Sequence, residues 1–161
     1  MHSRIYQVAS KPISVEDYDI PECFYDNSDD FADYIGGAVT GDSRLHDIQL
    51  LGNALSGLFV PEGTDSFVYL GAEAMNTFKE EWAARLRRLT ENLTGDNIMD
   101  GGVLYEISET TKCTHRCTYF RVHIEEWNGW AGPFKDIVEW AASQLKKGDR
   151  IYVGAVIDYH F

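Results

Sequence analysis

The stretch "CTHRC" places Cys113, His115 and Cys117 within five residues, and His123 follows close behind. Thiolate and imidazole are zinc ligands, but a closed structural zinc site takes four of them, usually as two short pairs. Here the first pair has C-x3-C spacing and no second Cys or His pair exists. No metal is therefore expected. "DNSDDF" sets Asp26, Ser28 and Asp30 at the first, third and fifth positions of a calcium loop. That loop needs glycine at its sixth position and a bidentate glutamate at its twelfth. Phe31 and Gly37 stand there instead, so the loop fails.

General acid–base chemistry has two candidate constellations. One is His123 with Glu125 and Glu126; the other is Asp158 with His160, which a strand would place on one face. A hydrogen-bonded pair at a strand end is the plainer reading of the second. Trp127 and Trp130 flank an "NG" turn, either folded over a hairpin or offered to a stacking ligand. Phosphate-binding glycine loops, H-E-x-x-H and G-x-S-x-G are all absent from the sequence. No cofactor is expected, and enzymatic activity is not the first reading.

The strongest feature is electrostatic. "EDYDIPECFYDNSDDFADY", Glu16 to Tyr34, carries eight carboxylates and five Tyr or Phe residues, and no Lys or Arg lies between Lys11 and Arg44. Residues 1–70 hold twelve acids and three bases, while residues 71–161 hold fourteen and eleven. Crowded carboxylates repel one another unless something offsets them. Aromatic anchors among steering charges suit a basic, partly apolar partner surface. The candidate partner-binding residues are Asp17, Asp19, Glu22, Phe24, Tyr25, Asp26, Asp29, Asp30 and Asp33. A merely solvated surface is the competing explanation.

These residues need elements to position them. "SRIYQVA" reads as a strand. Phe31, Tyr34, Ile35, Ala38 and Val39 step as a helix over 28–39, with Asp29, Asp30 and Asp33 on its polar side. A second helix is expected over 43–56, then a hairpin through "PEGTD", and a long helix over 72–93 ended by Gly95. Residues 98–112 fit a short helix better than a strand. "CTYFRVHIEEW" alternates as a strand with Phe120, Val122 and Ile124 inward. Pro133 is expected to open a further helix, and "RIYVGAVIDYHF" is apolar on both faces, as a central strand is.

The expected fold is therefore α+β: a single domain of 161 residues, with a small mixed or antiparallel sheet and about four or five helices on one or both sides. The apolar fraction of 44% excludes a disordered chain. A formal charge of −12 argues against nucleic acid or an anionic membrane as partner. Three scattered cysteines and the lack of an apolar leader point to the cytoplasm.

The opening "SRIYQVASKPI" with "EDYDI", together with the ending "IYVGAVIDYHF", resembles a group of small uncharacterised proteins from anaerobic gut bacteria and their mobile elements. The resemblance implies a bacterial cytoplasmic setting and carries no activity or functional residue to this chain. The leading expectation is a non-enzymatic acidic protein that docks on a basic protein, of inhibitor, immunity or anti-defence type. A small hydrolase or transferase using Asp158 and His160, and a structural or self-associating domain, are the alternatives.

Overall fold

The computed structural model describes residues 2–30, 32–112, 120–127 and 129–160, with the backbone alone for 26–30 and 112. The "CTHRC" stretch and Phe31 lie outside the described residues. Among the described residues, seven strands form one mixed sheet: β1 (His2–Ala9), β2 (Tyr34–Ala38), β3 (Phe59–Pro61), β4 (Ser66–Tyr69), β5 (Arg121–Ile124), β6 (Gly132–Pro133) and β7 (Arg150–His160). Their order is β3-β4-β7-β1-β5-β6, with β2 added beside β7. Only β1 and β5 run parallel among these pairings; the others are antiparallel. The α+β expectation holds, although the sheet is larger than expected. Four α-helices accompany it among the described residues: α1 (Gly41–Ala54), α2 (Ala72–Glu91), α3 (Gly101–Lys112) and α4 (Lys135–Gln144).

The central strand is β7, as its two apolar faces require. One edge pairs with β1, and the other is shared end to end by β4, opposite residues 150–152, and β2, opposite residues 157–160. Tyr6 pairs with Val156 and Val8 with Val153, so Gly154 and Ala155 together oppose Gln7. This is a β-bulge, and it re-aims the side chains beyond it. Ile151, Val153 and Val156 enter one apolar cluster, whereas Ala155, Ile157 and Tyr159 enter another.

The first cluster is the main core. Tyr6, Val8, Val122 and Ile124 of the sheet meet Ile48 and Leu51 of α1, Met75 and Phe78 of α2, and Ile137 and Trp140 of α4. Helices thus cover this face. The second cluster, on the opposite face, joins Ile5, Ile35, Ile157 and Tyr159 to Phe24, with Tyr18 and Ala32 at its margin. Its cover is the acidic segment itself.

Two expectations change. The helix over 28–39 is replaced by a 3-10 helix at Pro21–Asp30 and by strand β2. Only Ile35 of β2 is buried, which an edge strand permits, and β7 offers an edge there. Gly36 lets β2 approach: a Cβ on it would stand 3.0 Å from the Asp158 carbonyl oxygen. Pro133 belongs to β6, with α4 starting two residues later. The helix expected over 43–56 runs over 41–54, strand β5 takes only Arg121–Ile124 of "CTYFRVHIEEW", and the hairpin, the long helix and the short helix after Asp100 form in their expected places.

Candidate docking face and the polar network beneath it

The described residues from Lys11 to Asp33 form two 3-10 stretches, Val15–Asp17 and Pro21–Asp30, joined by irregular chain. What holds it on the sheet is a set of inward side chains. Phe24 is 3% exposed and meets the His123 ring edge-on at 5.6 Å between centroids. The Tyr18 ring lies under the Arg44 guanidinium, 5.5 Å away. Asp19 and His123 form an ion pair, Oδ2 to Nδ1, with side chains only 12% and 15% exposed.

Beneath them lies Gln7, 2% exposed and positioned by β1 to face this side. Its Nε2 donates to the Asp17 carbonyl at 2.9 Å and to Glu125 Oε1 at 2.6 Å. Its Oε1 accepts from the Asp19 amide at 3.1 Å and from the Ala155 amide at 2.9 Å. One buried amide side chain therefore binds the acidic segment, the bulge of β7 and the end of β5. It fits because residue 154 is glycine: a Cβ there would come within 2.3 Å of Gln7 Oε1.

Arg44, the first base after the acidic run, closes the bulge from the opposite edge of β7. Its NH2 group donates to the Val153 and Gly154 carbonyls at 2.9 and 2.7 Å, in the gap between β4 and β2. Its buried Nε has no hydrogen-bond partner among the described residues.

Burial alone would lower the His123 pKa. The hydrogen bond and charge of Asp19, with the charge of Glu125, outweigh that, so the imidazole lies above its ordinary value. It thus favours the cationic state that compensates the acids facing it.

The nine partner-binding candidates divide. Asp19 and Phe24 point inward as fasteners. Asp17, Glu22, Tyr25 and Asp33 are exposed, whereas the side chains of Asp26, Asp29 and Asp30 lie outside the described residues. Exposed apolar groups not singled out in the sequence accompany them: Val15 at 73% exposure, Ile20 at 55% and Tyr34 at 50%, beside Tyr25 at 49%. Large apolar side chains at such exposure are informative when several occupy one segment. Gln7, Arg44 and Gly154 also went unmarked. A polar residue within the apolar "IYQVA" and a glycine within "YVGAV" are the signals that point to them.

Asp158 and His160 do share a face of β7, but each has its own partner. Asp158 accepts from Arg4 and binds His2 Nδ1 at 2.9 Å, while His160 Nδ1 meets Asp33 Oδ2 at 3.1 Å. Arg4 also donates to the buried Asp47 carboxylate. Two grooves, of about 440 and about 220 Å3, are lined by other residues. Trp127 and Trp130 are both partly exposed at the β5–β6 turn. Among the described residues, no helix is long and apolar enough to cross a membrane. No protein-family model, curated protein or solved structure matches this chain.

Proposed function

We propose that this chain is a non-enzymatic interaction protein of the cytoplasm whose segment from Val15 to Tyr34 docks on a basic protein surface. The observation that carries the reading is the division of labour within that segment. Phe24, Tyr18 and Asp19 fasten it inward, so Val15, Ile20, Tyr25 and Tyr34 face out among Glu16, Asp17, Glu22 and Asp33. A segment with no base of its own, kept in a fixed pose, is preorganised for a cationic partner and loses little entropy on binding. Carboxylates steer the encounter and exclude acidic competitors, while the apolar groups supply contact area. An inhibitor or immunity role fits this design, and nucleic acid does not.

The test is affinity capture from host lysate at low and high salt, followed by purification of the captured protein and measurement of its affinity. A variant carrying Glu16→Lys, Asp17→Lys, Glu22→Lys and Asp33→Lys is compared with wild type. The expected result is a basic partner, bound more than tenfold more weakly by the variant and released by salt. Equal affinity for wild type and variant would overturn the reading.

A further inference from the structure

Beneath the proposed docking face lies a donor set that the sequence disperses over more than a hundred residues. Asp19 comes from the acidic segment, His123 from β5 and Glu125 from the turn that follows. One ligand atom of each lies within 4.8 Å of the other two. We propose that Asp19, His123 and Glu125 bind one first-row divalent transition-metal cation, of the Mn2+ or Zn2+ class, which ties the acidic segment to β5.

The donor chemistry selects that class. One imidazole nitrogen with two carboxylate oxygens is harder than a thiolate site and softer than the all-oxygen sets of calcium and magnesium. Two carboxylates also give the site the anionic charge that a divalent ion needs. The surrounding shell is in place. The Gln7 amide holds the Glu125 carboxylate through Nε2 and the Asp19 backbone through Oε1, so a single buried side chain orients both acidic ligands. Phe24 packs edge-on against His123 and limits its rotation. Glu125 is exposed, which leaves an entry path and room for water in the remaining coordination positions. On binding, the proton shared between His123 Nδ1 and Asp19 Oδ2 leaves to solvent, and both atoms turn their lone pairs to the ion. The site stands apart from the docking reading, and either can fail without the other.

The experiment is titration of the chelator-treated full chain with Mn2+, and separately with Zn2+, by calorimetry and thermal melting. The expected result is one ion per chain and a raised melting temperature. Glu125→Gln keeps an oxygen for Gln7 and should fold normally, yet weaken binding at least tenfold. His123→Gln should abolish it. Cys113→Ser with Cys117→Ser serves as the control for the "CTHRC" stretch and should bind as wild type does. No uptake of either ion at millimolar concentration would overturn the proposal. So would uptake that survives both Glu125→Gln and His123→Gln, or that is lost only in the cysteine variant.

Discussion

The two faces of the sheet are covered by different means. On one, α1, α2 and α4 press Ile48, Leu51, Phe78, Ile137 and Trp140 onto Tyr6, Val8 and Val122, and the contact is almost wholly apolar. On the other, an acidic segment of two 3-10 stretches is held by one deep aromatic, Phe24, and by a hydrogen-bonded set around Gln7, Asp19 and His123. The helical face is non-directional burial, which tolerates repacking. The segment face is directional and depends on a few partners, so it is the part of the molecule that single substitutions can release.

The harshest way to probe this contrast is to remove what both faces share. Ending the chain at Gly148 deletes β7, which pairs with β1, β2 and β4. That variant should show no cooperative thermal transition by circular dichroism. Next, Leu51→Ala on the helical face should cost about 3–5 kcal/mol in denaturant melts, because the site is fully enclosed. Phe24→Ala should cost less, about 2–3 kcal/mol, since the segment can let go instead of keeping a cavity. Hydrogen exchange separates the two cases. Leu51→Ala should lower protection throughout the sheet, whereas Phe24→Ala should lower it across 12–30 and leave β1 and β7 protected. Uniform loss in both variants would mean that the segment is not a separate unit.

Smaller effects sharpen the picture. Gly154→Ala forces a methyl group against Gln7 and should cost about 1–3 kcal/mol. A neutral outcome would mean that the Gln7 network is not tightly held. Last come two chemically identical changes in different surroundings. Asp19→Asn breaks a largely enclosed ion pair and should lower stability by about 1.5–3 kcal/mol in chelator-containing buffer. Asp33→Asn acts on a carboxylate that is 72% exposed beside His160, and should stay within about 0.5 kcal/mol of wild type. Equal losses would erase the distinction between fastener and surface.

The same contrast decides what could be read in advance. Helices α1, α2 and α4 bury a stripe each, and a stripe repeats locally, so "AEAMNTFKEEW" and "DIVEWAASQL" announce their inward residues. The acidic segment has no period. Its fixing contacts join residues such as Asp19 and His123, 104 positions apart, which no local pattern connects. Both stand out in the sequence for unrelated reasons, Asp19 as one charge in a run and His123 as an imidazole beside two glutamates. Strand β2 reads as a helix in the sequence because its apolar positions step by three and four. The free edge of β7, a property of the assembled sheet, selects the strand. Gly154 did carry local information, since a glycine inside an apolar strand marks a bulge or a close approach.

The pairing of β1 with β7 also sets a schedule for the chain's own synthesis. Residues 2–9 leave the ribosome long before their antiparallel partners, 152–160. The parallel neighbour of β1 begins only at Arg121. Until those late segments emerge, an apolar strand and its acidic follower have nowhere to dock, and contacts of such long separation close slowly. The carboxylates that follow β1 so closely carry like charges, and such repulsion opposes association while an apolar strand like "IYQVA" is exposed.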